Sequence, residues 1–380
     1  MKIEITRIPT DFNGKTCYTH ARGYIREDGF GIMTTQPIRL SGMDIFYGMY
    51  ISKTYDGGKT WSSLMPSKTL TRKPFGENYQ IAFCDATPML HKKSGKIILV
   101  GQGTLYVNDE HAPSPSPRYT IYAVYDESLG DFGDFKVLSS PLFSAEEYFS
   151  NGNGSGQYIE LDDGDLLIPI YHNSKNDLID PWKCCYKSSV LRCSFDGESL
   201  EIKKIGNPIT TDLPRGLYEP SIIKCNSDYY LALRNDATGY IAKSRDGLNF
   251  DTPTELVWDS GESIGNYNTQ QHLISVGGKL YIVYTRRADD NDNVPRHRAP
   301  LFISEFDTEK MCLIQKTEKI VVPNRGARLG NFGTQSRENF GDAFVFASEW
   351  MQTTEPDPYD FKKCMRYGSD NSIFVTHISF

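Results

Sequence analysis

Six short apolar stretches recur along the chain, each bounded by turn residues: GFGIMTTQ, GKIILVGQ, GDLLIPIYH, DYYLALRND, GKLYIVYTR and DAFVFASEW. Their centres, Ile32, Ile98, Leu167, Leu231, Ile282 and Val345, are separated by 66, 69, 64, 51 and 63 residues. A second apolar run precedes each one: RGYIRE, TPMLHK, GQYIEL, EPSIIK, TQQHLIS and a weaker GNFGTQS. Short runs of this kind, separated by Gly, Asp and Pro, read as strands, and long helical periods are missing. Four short strands per unit, in six units, predict an all-β, six-bladed β-propeller occupying residues 1–380 as one domain. The physical reason is that a lone four-stranded sheet cannot bury both faces, so units must stack around a ring. The opening MKIEITRI and the closing DNSIFVTHISF are strands without a unit of their own. They are expected to share one blade and close the ring.

A turn motif recurs with the strands. SKTYDGGKTW, residues 52–61, joins an Asp side chain that can accept turn N–H groups to glycines suited to positive φ. Degenerate relatives follow in RCSFDGESL and AKSRDGLNF, where Ser194 and Asp196 match Ser244 and Asp246. Asp56 is therefore expected at an outer hairpin, with Trp61 packed beside it.

Composition narrows the function. High aromatic content, with 23 Tyr and 20 Phe, suits strands and sugar-facing surfaces. A formal net charge of −7 without a basic stripe argues against a nucleic-acid partner. No apolar run approaches a membrane span of about 20 residues, and MKIEITRIPTDF has no signal-peptide core, so a cytoplasmic location is expected. Eight scattered cysteines without a CxxC pair read as reduced, packed thiols. No zinc spacing, P-loop or dinucleotide fingerprint occurs, and no metal or other cofactor is expected. The acidic run ADDNDN, residues 288–293, reads as a solvated loop rather than a calcium site.

In a propeller, the starts of the inner strands converge on one mouth. That places Arg22, Gln157, Glu219, Gln271 and His272 as neighbours, with Arg234 and Arg298 close by. Several guanidiniums around one opening suit a carboxylate ligand. Glu219 and Asp44 are candidate paired carboxylates for glycoside cleavage. His20, His272 and His297 sit beside these residues and could serve as acid, base or donor to substrate.

SKTYDGGKTW resembles the Asp-box of the sialidase superfamily (S-x-D-x-G-x-T-W, with Thr54 in place of Ser). YEPSIIKCNSDYYLALRND resembles its E-P-x-φ-φ pattern followed by a strand ending in Arg, and the likeness runs from about His20 to Trp350. The resemblance implies a clamp of three arginines on the substrate carboxylate, with Arg22, Arg234 and Arg298 in those places. It implies Asp44 as acid/base and Glu219 as the activating glutamate. It also implies a nucleophilic tyrosine near residue 332, where this chain has Phe332. The expected activity is exo-acting hydrolysis of a terminal anionic sugar, sialic acid first. Catalytic candidates are Asp44, Glu219 and His272; binding candidates are Arg22, Arg234, Arg298, His20, Gln157, Gln271 and His297. Two alternatives stay open: a lyase or non-sialidase exoglycosidase acting on a uronic-acid glycoside, and a carbohydrate-binding propeller without catalysis. The sequence does not fix an oligomeric state.

Overall fold

The computed structural model describes residues 1–180 and 184–380. The chain is all-β and folded as a β-propeller, with its strands in six separate hydrogen-bonded sheets. The six apolar stretches form the central strands: Gly31–Arg39, Lys96–Val107, Leu166–Asn173, Asp228–Arg234, Lys279–Tyr284 and Asp342–Trp350. Each pairs antiparallel with the strand before it and the strand after it, as between Tyr218–Cys225, Asp228–Arg234 and Gly239–Ser244. The weak GNFGTQS signal also becomes a strand, Gly333–Arg337.

Alternation explains why the central strands read as unbroken apolar runs. Ile98 and Val100 pack against Leu166 and Ile168 of the next sheet, while Ile97 and Leu99 pack against Ile32 and Ile51 of the previous one. Leu167 turns the other way, toward Leu231 of the fourth sheet. Both faces of each sheet are thus buried against neighbours. Leu99 has no exposed surface, so Leu99→Ala should cost about 2–5 kcal/mol. The last such contact sets Phe346 and Val375 of the sixth sheet against Ala21 and Met33 of the first.

The terminal strands share a sheet, as expected. Lys2–Ile8 pairs antiparallel with Ile373–Ser379 in unbroken register, Lys2 opposite Ser379 and Ile8 opposite Ile373.

The Asp56 turn also forms at the outer side of the first sheet. Asp56 Oδ1 accepts from Thr54 Oγ1 (2.8 Å) and Thr60 N (3.0 Å), and Oδ2 accepts from Thr60 Oγ1 (2.7 Å). Gly58 adopts φ +90°, and Trp61 Nε1 donates to its carbonyl at 3.0 Å. Ser244 and Asp246 repeat the arrangement at 3.0 Å. All eight cysteines are free thiols, seven of them buried. Among the described residues, no helix is long and apolar enough to cross a membrane.

Candidate functional site

The inner strands carry a repeated irregularity. In the first, second and fourth sheets the pairing register shifts within the inner strand, between Thr19 and Arg22, Cys84 and Thr87, and Tyr218 and Ser221. Inside each bulge one residue has positive φ: His20 (57°), Asp85 (54°) and Glu219 (48°). Bulges re-aim side chains, and backbone held in this region by non-glycine residues gathers at functional sites. Asp85 and Glu219 line a cavity of about 400 Å³.

Glu219 and Arg234 form the best-defined pair in that wall. Arg234 Nη1 donates to both Glu219 oxygens at 2.6 Å, and Nη2 donates to Asn268 Oδ1. The Asn268 carbonyl accepts from Arg298 Nη2 at 2.9 Å, so Asn268 ties the two arginines together. Arg296 and Arg328 line the same cavity. Arg328 stacks on Trp350, 3.4 Å from the ring centroid, and Nη2 donates to Gln352 Oε1 at 2.7 Å.

These four arginines differ in charge balance. Burial disfavours the Arg234 cation, but Glu219 outweighs it and raises the pKa. Arg298 is lowered well below the usual range by burial and by the charges of Arg234, Arg296 and Arg328. Arg328 falls to about 9, through burial and the nearby Arg296. Arg296 is lowered by burial and by Arg234. The buried Nε atoms of Arg234, Arg298 and Arg328 have no hydrogen-bond partner among the described residues. Buried donors left unmatched are costly.

The other expected residues occupy different layers. Asp44 lines the cavity from an exposed position at its rim, with φ 59°. Arg22 does not line it. Directly after the first bulge, two residues past His20, it is fully buried and donates to the Phe332 carbonyl (3.1 Å), Ser155 Oγ (3.1 Å) and the Asp85 carbonyl. Gly333 makes room for it, since a Cβ there would come within 2.9 Å of Arg22 Cγ. His20 is also buried, its Nδ1 2.8 Å from Asp85 Oδ1. Burial alone would raise the Asp85 pKa; His20 and Arg22 hold it well below the carboxylate range.

His272 is 1% exposed, with Nδ1 2.9 Å from Ser221 Oγ and its ring edge-on to Phe332. Burial and Arg22 depress its pKa to about 3. Gln157 bridges sheets instead of facing the cavity, bonding both the N–H and the carbonyl of Leu273. Gln271 is buried and donates to the Thr269 carbonyl. His297 lies outside the cavity lining, between Tyr267 Oη and Asp292 Oδ1, each at 2.9 Å. In the acidic run, Asn291 closes its own loop by bonding Ala288, Arg286 and Ala299. Among the described residues, no cluster of His, Cys, Asp or Glu is placed to hold a metal ion.

Several lining residues escaped the sequence reading: Asp85, Arg118, Arg215, Arg296 and Arg328. Aligning the bulges would have found Asp85, because CDATPML repeats the register of YEPSIIK.

Neither a known family profile nor a curated protein matches the chain. Solved structures do match in fold. A Dyadobacter fermentans protein of unknown function aligns with TM-score 0.64 at 15% identity, over 98% of both chains. The Hadza microbial sialidase Hz136 aligns with TM-score 0.64 at 14% identity, covering 96% of this chain and 66% of that one. Trypanosoma rangeli sialidase in complex with sialic acid aligns with TM-score 0.59 at 12% identity, covering 98% and 58%. The chain therefore spans about three-fifths to two-thirds of the length of these two sialidases. The chain shares the β-propeller fold of these solved structures. At these identities the likeness is one of fold, and activity has to be argued from the site.

Proposed function

We propose that the six sheets act as six blades of one ring whose cavity binds a sugar carboxylate and hydrolyses the glycosidic bond beside it, with a sialic acid as first candidate. The observation that carries the reading is the set of three buried, unpartnered Nε atoms on Arg234, Arg298 and Arg328. A carboxylate is the planar partner that guanidiniums grip in pairs. In this reading the clamp uses Arg234, Arg298 and Arg328; Arg22 supports the floor through Asp85. Asp44, at the rim, donates a proton to the leaving oxygen as the glycosidic C–O bond breaks. Water then adds to the anomeric carbon and returns a proton to Asp44. Glu219, fixed by Arg234, faces the positive charge that develops on the sugar.

Phe332 is 2% exposed and packs on His272, so no hydroxyl stands where the sialidase resemblance implies a nucleophile. This favours a second reading, binding of an acidic sugar without cleavage. A product-resolved screen against sialosides and uronosides separates the outcomes. Release of a free sugar acid supports hydrolysis. New ultraviolet absorbance from a double bond would mean a lyase, and binding without product would mean a lectin. No binding of any acidic sugar would overturn the reading of the cavity.

A further inference from the structure

Six arginines line the cavity against three carboxylates, Asp44, Asp85 and Glu219. The arginines divide into two arcs. Arg234, Arg296, Arg298 and Arg328 form the first. Arg118 and Arg215 form the second, beside three mutually packed tyrosines. Tyr186 lies 5.4 Å from both Tyr171 and Tyr218 between ring centroids. Tyr218 stands between the arcs, with the Arg234 guanidinium 4.6 Å and the Arg215 guanidinium 5.2 Å from its centroid.

Local structure fixes the second arc. Arg118 directly precedes strand Tyr119–Asp126 of the second sheet, where its N–H donates to Ser150 Oγ at 3.0 Å. Arg215 sits at φ 72° on a two-residue bridge that runs parallel to Cys185 and Tyr186. Its Nε is 3.6 Å from Asp236 Oδ2. The Arg118 guanidinium has a single hydrogen-bond partner among the described residues, the Tyr186 hydroxyl at 3.2 Å. The remaining N–H donors of its planar fork carry no partner among the described residues. Tyr171 is oriented by its hydroxyl, which donates to Gln102 Oε1 at 2.6 Å.

Resting on the carboxylate reading above, we infer that this arc is a second anion subsite and that the substrate is an acidic oligosaccharide with an anionic group on the sugar next to the terminal one. A single carboxylate is accounted for by the first arc. The three tyrosines line the cavity wall where a second sugar ring would rest, and Arg118, bound to the Tyr186 hydroxyl, offers its free donors to an oxyanion on that ring. A second uronate carboxylate and a sulfate ester share this chemistry.

Calorimetric titration tests the inference with four probes. N-acetylneuraminic acid and glucuronic acid are the monoanions. Digalacturonic acid and a 6-sulfated chondroitin disaccharide are the dianions, and the preferred one identifies the second group. At least one dianion is expected to bind ~10-fold or more tighter than the monoanions, the gain from one hydrogen bond to a charged group. Arg118→Gln should reduce that ratio about tenfold. Tyr186→Phe, which keeps the ring but frees Arg118, should reduce it in the same direction. Arg298→Gln should weaken both ligand classes together and leave the ratio in place. Thermal melting of each variant confirms folding. A ratio near one in the native chain, or one unmoved by both Arg118→Gln and Tyr186→Phe, overturns the second subsite while monoanion binding preserves the first. Failure of all four probes to bind overturns both.

Discussion

A single nitrogen of Arg234, Nη1, serves both carboxylate oxygens of Glu219 at 2.6 Å. The grip leaves Nε of Arg234 without a partner and Nη2 on Asn268, so the arginine is braced by protein on one edge and open on another. Glu219→Gln keeps the shape and removes the charge. Turnover should fall about 10²-fold or more while substrate still binds. Arg234→Lys lacks the fork and should raise the substrate Kd with the fold intact. Glu219→Ala should cost about 3–5 kcal/mol, because it strands a buried cation. Steady-state kinetics with denaturant unfolding checks all three; full activity in Glu219→Gln removes this glutamate from the mechanism.

Arg298 is expected to behave in the opposite way to an ordinary buried ion-pair member. Burial and three neighbouring cations disfavour its charge. Arg298→Gln should therefore raise the melting temperature of the ligand-free protein. The same change should weaken or abolish the rise in melting temperature that an acidic sugar gives the native chain. A variant that melts lower and still responds to ligand contradicts the clamp.

His272 should make the protein acid-sensitive. Its folded pKa of about 3 lies below the unfolded value of about 6.5. The unfolded chain binds the proton first, so the contribution is present above pH 6.5 and is lost as pH falls toward 3. It amounts to at most roughly 5 kcal/mol. His272→Asn should flatten the fall in stability across that window, measured by urea unfolding at several pH values. A slope equal to the native one would assign the acid sensitivity to other groups.

Asp56 should matter for the fold and not for turnover. Thr60 and Thr54 hold its carboxyl at about 2. Its contribution is present above the unfolded value near pH 4 and is lost as pH falls through 2. Asp56→Ala should lower the melting temperature at pH 7 and leave activity per folded molecule unchanged. Lost activity at an unchanged melting temperature would make the turn catalytic.

How much of this was legible in the sequence follows from periodicity. The central strands are buried on both faces, so apolar runs and their spacing marked all six, and the pairing of the terminal strands followed from two strands left over. The site was harder to read because a bulge changes which side chain reaches the mouth without changing composition. Glu219 stood out because a proline follows it, whereas Asp85 in CDATPML carries no such mark. Arg22 looked like a clamp by its place at a strand start; directly after the bulge, two residues beyond His20, it belongs to the layer beneath. Arg328 lies in GARLGNF, only four residues before Phe332, where the sialidase pattern directs attention to a tyrosine.

The pairing of Lys2–Ile8 with Ile373–Ser379 also sets a timetable for the nascent chain. The first strand emerges from the ribosome some 370 residues before the strand that receives it. At 5–20 residues per second, that interval is roughly twenty to seventy-five seconds. Throughout it, a strand with free edge groups waits beside an open gap. The final sheet therefore assembles only after Ile373–Ser379 has been synthesised, whatever the other five sheets have done before it.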